Sequence, residues 1–158
     1  MVRFKEVQRF NQWWFYAIII ILLGPPLYGY YHQIIKGEPW GNNPMSDGGL
    51  ILYIAFSMGL AWFLTAIKLT TEITDQSIKG RLYPVAKKEI KWEDVASAQI
   101  INYGFVGYGL RVSFKHGTVY NIGGKYGLAI VTKSGKKWVL GTQDPDRMKA
   151  KLKEFLTS

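Results

Sequence analysis

At 158 residues the chain has room for one modest domain and an anchor, since autonomous domains usually run to about 100–150 residues. It contains no cysteine, which excludes disulfides, thiolate nucleophiles, zinc ribbons and iron–sulfur ligation. The formal net charge of +9 is unevenly placed: residues 13–67 are almost free of charge, whereas from Lys68 onward sixteen Lys and Arg oppose eight Asp and Glu, so a membrane half and a soluble half are expected.

Arg3, Lys5 and Arg9 lead into residues 13–31, WWFYAIIIILLGPPLYGYY, an uncharged run of about the ~20 residues that a helix needs to cross a bilayer. Trp13, Trp14 and Tyr16 at one end, and Tyr28, Tyr30 and Tyr31 at the other, are placed as aromatic belts. A cleaved signal peptide is disfavoured because bulky residues, PPLYGYYHQ, follow the apolar run instead of a small-x-small cleavage site. Gly24-Pro25-Pro26 removes two backbone donors and predicts a kink near residues 22–24. A second uncharged run, residues 49–67, ends at Lys68 and reads as a second span, with Ala55 and Gly59 four apart as its surface of close approach to the first. The connection, residues 36–48, carries one lysine against three basic residues before the first span. Both termini are therefore expected in the cytoplasm, the whole forming a multi-pass hairpin over residues 1–68.

After Lys68 the pattern changes to short alternating runs divided by turn residues. Strands are predicted at 69–74, 77–83, 87–92, 96–103, 109–114, 118–122, 128–132 and 137–141. The chain closes on DPDRMKAKLKEFLTS, where Asp144 is a helix cap, Pro145 suits the first helical position, and Met148, Leu152, Phe155 and Leu156 define one apolar face. The expected fold class is thus α+β: a transmembrane hairpin, then, over residues 69–158, an antiparallel bent sheet or open barrel of about seven strands with a C-terminal helix at its open end.

Four stretches carry a family resemblance: TTEITDQSI (70–78), IKWEDVASA (90–98), GYGLR (107–111) and GGKYGLAIVTKSGKKWVLGTQDPDRMKAKL (123–152). In them the soluble half resembles the bacterial pleckstrin-homology-like (PH-like) domains found beside transmembrane hairpins in small membrane proteins. The resemblance covers most of residues 70–155 and implies a PH-like barrel. It implies little about ligand, because such domains bind lipids, proteins or nothing known.

Little in the sequence points to catalysis. His32 at the end of the first span reads as an interfacial hydrogen-bonding residue and His116 as part of a hairpin turn; two distant histidines without cysteine are a poor metal set. The glycines at 104, 107, 109, 123, 124 and 127 lead into strands, whereas a phosphate loop leads into a helix. Neither enzymatic activity, cofactor nor metal is expected. Nucleic acid is not expected as a partner, because the basic residues are spread over many strands of a membrane-tethered domain. Anionic lipid fits the charge better, with Lys79, Arg81, Lys87 and Lys88, which flank the Pro84-Val85-Ala86 turn, as the expected contacts. The leading expectation is a non-enzymatic interaction or scaffold module at the bacterial inner membrane, acting on a membrane protein partner or anionic lipid. The competing one is a subunit of a membrane enzyme or transporter with its site near the kinked first span and His32.

Overall fold

The computed structural model describes residues 2–104 and 107–156, with side chains as far as residue 153. The chain divides into two compact units, one of residues 11–66 and the other of residues 1–10 together with 67–158.

The first unit is a helical hairpin. Helix α1 (Trp13–Tyr30) continues through Pro25 and Pro26 and passes into a π-helical turn at Tyr31–Ile35; α2 spans Asp47–Ala66. The two prolines expected to bend the first span thus lie inside a continuous helix, and a widened turn follows where α1 ends. Ser46 Oγ accepts the Gly49 amide at 3.2 Å, starting α2, and Gln33 Nε2 ties the connection down by donating to the Met45 carbonyl (2.9 Å) and Asp47 Oδ1 (2.6 Å). Leu50, Ser57 and Ala61 are the buried residues of α2, while Ala55 and Gly59 are exposed. The close-packed pair of small residues is thus Ser57 and Ala61, two positions round the helix from the pair expected. Both helices are long and apolar enough to cross a membrane, and most of each stays uncovered: Ile20, Ile21, Leu52, Phe56 and Trp62 are 68–73 % exposed.

Among its described residues the second unit contains nine strands in two sheets and one helix. β1 (Val2–Arg9), β2 (Lys68–Thr74), β3 (Ser77–Tyr83) and β4 (Ala86–Lys91) form a four-stranded antiparallel sheet in that order. After a 3-10 turn at Trp92–Asp94 come β5 (Val95–Asn102), β6 (Gly109–Ser113), β7 (Gly117–Asn121), β8 (Tyr126–Thr132) and β9 (Lys137–Thr142). These five form a second sheet of order β5-β8-β9-β7-β6, in which β7 and β9 run parallel. The single antiparallel sheet of about seven strands is thereby corrected in two respects, by the division into two sheets and by the parallel pair. A third correction concerns the boundary at residue 68: the residues read as a basic lead-in to the first span are strand β1, paired with β2 from Phe4↔Ile73 to Arg9↔Lys68.

Inward-facing residues of both sheets make one core. Phe4, Leu69, Ile73, Ile78, Leu82 and Ile90 come from the first sheet, and Tyr120, Leu128, Ile130 and Leu140 from the second. Polar residues of β1 also cross to the second sheet: Glu6 accepts from Thr142 Oγ1 (2.6 Å) and the Gln143 amide (2.8 Å), and Gln8 Nε2 donates to the Gly141 carbonyl (2.7 Å). A smaller cluster of Tyr103, Val119 and Val139 lies on the opposite face of the second sheet, where burial pushes the Tyr103 hydroxyl up to about 12.

Helix α3 (Pro145–Leu156) begins as expected, with Asp144 Oδ1 accepting the Arg147 amide at 3.1 Å. Met148 and Leu152 are buried in the main core, and the side chains of Phe155 and Leu156 lie outside the described residues. Leu152→Ala should accordingly cost about 2–5 kcal/mol in urea unfolding of the full chain in detergent. A midpoint equal to wild type would mean the helix contributes little to this core.

Candidate functional site

The side of the first sheet facing away from the core is rich in charged residues, and strand alternation decides its membership. In β2 the core takes Leu69, Thr71 and Ile73, which turns Lys68, Thr70 and Glu72 outward; in β3 it takes Ile78 and Leu82, which turns Lys79, Arg81 and Tyr83 outward. These residues, with Gly80 of β3, Lys5 and Val7 of β1 and Lys87, Lys88 and Glu89 of β4, line an open groove of about 710 Å³.

Cross-strand register arranges the groove in rows. One row reads Lys5, Glu72, Lys79, Glu89 and alternates in sign across all four strands. Its ion pairs are made: Lys5 Nζ to Glu72 Oε1 at 2.7 Å, and Lys79 Nζ to Glu89 Oε1 at 3.2 Å. The Ser77 hydroxyl donates to Glu89 at 2.7 Å and, with Lys79, holds that carboxyl below its ordinary range. Beyond this row, Arg3 Nε pairs with Asp75 at 2.7 Å and Lys91 with Glu93 at 3.2 Å.

Toward the other end of the sheet the balance is lost. The next row is Val7, Thr70, Arg81, Lys87, and the last is Arg9, Lys68, Tyr83. These two rows hold four cations and no carboxylate. Among the described residues none of Arg9, Lys68, Arg81 and Lys87 has a carboxylate within ion-pair distance. Lys68 and Arg81 instead lie 5.6 and 5.4 Å from the Tyr83 ring centre, an exposed cation–π arrangement. Val7 and Val85 are exposed beside them, Val85 in the Pro84–Val85 turn that joins β3 to β4. This is the end at which β1 runs out at Arg9 and β2 begins at Lys68, so the chain leaves for residues 11–66 and returns from them here.

Of the four contacts expected from sequence, Arg81 and Lys87 stand together as register partners in the unbalanced rows. Lys79 shares their face but is neutralised by Glu89. Lys88 also borders the groove, but it pairs with Gly80 and its Nζ lies 5.0 Å over the Trp138 ring of β9, apart from Arg81 and Lys87, because neighbours in a strand point to opposite faces. Arg9 and Lys68 were missing from the expected set, and the missing β1 is the reason. His32 serves the hairpin connection, with Nδ1 3.3 Å from Glu38 Oε2 and its carbonyl accepting the Glu38 amide. His116 stacks edge-on at 6.5 Å to Tyr103, in the β6–β7 turn.

An open, polar, cation-lined groove on a sheet surface is suited to holding anions reversibly at a surface. No protein-family model matches the chain, and no curated protein matches its sequence.

Proposed function

We propose that the chain is an integral membrane protein whose hairpin crosses the inner membrane twice and whose PH-like β unit is a non-enzymatic interaction module on the cytoplasmic face. The observation that carries this reading is the pairing of Arg9 with Lys68. The strands that immediately flank residues 11–66 are neighbours in one sheet, so a membrane-crossing insertion between them must cross an even number of times. Two apolar helices supply that number. Their exposed Ile, Leu, Phe and Trp side chains would be costly in water, at roughly 25 cal/mol per Å² of apolar surface, and are at home in hydrocarbon. Arg3, Lys5, Arg9 and Lys68 flank the hairpin on the domain side, which favours the cytoplasm for both termini. Two packed sheets and a capped C-terminal helix support the PH-like reading. The module works through its sheet surface, by holding a membrane protein or anionic lipid close to the bilayer.

The cysteine-free sequence makes the topology directly testable. Asn42→Cys, in the hairpin connection, should react with an impermeant maleimide on intact cells, whereas Ser134→Cys, in the β8–β9 turn, should react only after permeabilisation. Labelling of both on intact cells, or of Ser134→Cys alone, would reject the arrangement.

A further inference from the structure

We infer that the two carboxylate-free rows of the first sheet form a binding site for the phosphodiester of an anionic phospholipid, with Arg81 and Lys87 as its central pair and Arg9 and Lys68 beside them. This rests on the reading that residues 11–66 span the membrane.

Cross-strand placement is the first argument. Arg81 and Lys87 are directly opposite each other, as are Arg9 and Lys68. Side chains so placed have Cβ atoms about 5 Å apart, and like charges there oppose sheet formation. One row further from the strand ends the same sheet solves this problem with alternating signs, Lys5-Glu72-Lys79-Glu89. The two like-charge pairs, unrelieved by any carboxylate among the described residues, are relieved by an anion between them. Arg81 offers a planar fork that meets two phosphate oxygens at once, and Lys87 a point charge that follows the third direction.

Position is the second argument, and it selects the source of the phosphate. The unbalanced rows occupy the end of the sheet where the chain enters and leaves the hairpin, and they extend only about 7 Å from it at ~3.4 Å per residue. Cations so near in sequence to the tether cannot move far from the headgroups once that segment is in the membrane, and each basic side chain close to an anionic surface is attracted to it. A nucleic acid would favour cations running the length of the face, and here the far rows are neutralised by Glu72, Asp75, Glu89 and Glu93. Exposed Val7, Tyr83 and Val85 at the same end suit the boundary between headgroups and acyl chains.

The test uses the full chain in neutral-detergent micelles, titrated with dihexanoyl-phosphatidylglycerol or dihexanoyl-phosphatidylcholine, with bound lipid counted by native mass spectrometry. The phosphatidylglycerol should be held about tenfold more tightly. Arg81→Gln with Lys87→Gln should remove that preference, and Arg9→Gln with Lys68→Gln should weaken it severalfold. Lys133→Gln with Lys136→Gln, in the β8–β9 turn, should leave it unchanged. Equal binding of the two lipids would overturn the proposal, as would an equal loss in the β8–β9 control. Inorganic phosphate that displaced the lipid at equal concentration would assign the site to a free anion, and a short DNA duplex that did so would assign it to nucleic acid; either also overturns it. Carbonate extraction of membranes separates the two readings: release of the wild-type chain counts against the spanning hairpin, while lost lipid preference in a carbonate-resistant chain counts against this site alone.

Discussion

Joining Phe10 to Ile67 through an Asn-Gly turn, with residues 11–66 removed, is expected to yield a soluble β domain that unfolds cooperatively. A fragment of residues 67–158 alone is expected to aggregate or remain partly folded. The register ends at Arg9↔Lys68, and Phe10 and Ile67 both pack against the core, so the next pair outward is positioned for a two-residue hairpin turn. Asn-Gly supplies the positive φ values such a turn requires, with a twist that matches the strands. Without β1 the domain loses more than an edge. Phe4, 2 % exposed, leaves a cavity whose cost for Phe→Ala alone is about 3–5 kcal/mol, against a total stability of about 5–15 kcal/mol for a typical domain. The groups that Glu6 and Gln8 hold at the end of β9 are freed as well. Circular dichroism and urea titration of the two proteins decide the matter; equal midpoints would show that β1 is dispensable.

The second large effect is expected at Gly117→Ala, in the full chain in detergent. Gly117 has φ +71°, and a Cβ there would press into the carbonyl oxygen of Lys137. The left-handed conformation costs an alanine about 1–2 kcal/mol. The clash adds to it, because the obstructing atom is backbone and moving it means parting β7 from β9 just where their parallel pairing begins, at Thr118↔Trp138. Val119 and Tyr120 are buried along that same stretch. A loss above about 3 kcal/mol is expected, among the larger effects of a point substitution. Gly135 provides the control: its φ is +80° but nothing lies within 4 Å of a Cβ, so Gly135→Ala should cost only the backbone part. Equal costs at the two positions would remove the steric argument.

Those elements whose signals are local could be read from the sequence. The turns at 115–117 and 133–136, the Asp144-Pro145 start of α3, the two apolar runs and eight of the nine strands all announce themselves within a few residues. β1 does not, because only Phe4 of its inward positions Phe4, Glu6 and Gln8 is apolar, while Val7 points outward. Its polar inward residues make sense only with Thr142, Gln143 and Gly141 in place, more than 130 positions away in the chain. The parallel β7–β9 pair is hidden for the same reason, since pairing between non-consecutive strands leaves no periodic mark. At the candidate site a period of two already separates Lys87 from Lys88, which cannot share one face. Arg9 and Lys68 are absent from the expected set because their partnership exists only through β1.

The contribution of β1 from ahead of the hairpin has a consequence for how such a chain is made. Residues 2–9 leave the ribosome before residues 11–66, yet their partner strand follows that segment, and the residues that satisfy Glu6 come more than 130 positions later. On the proposed reading β1 must wait, unpaired, until the hairpin has been inserted. Should only one helix enter the bilayer, β1 and β2 would be stranded on opposite sides, and the exposed edge of β2, with Leu69 and Ile73 behind it, would mark the product for proteolysis. If residues 11–66 cross the membrane as proposed, completion of the sheet doubles as an inspection of that insertion, performed by the chain on itself.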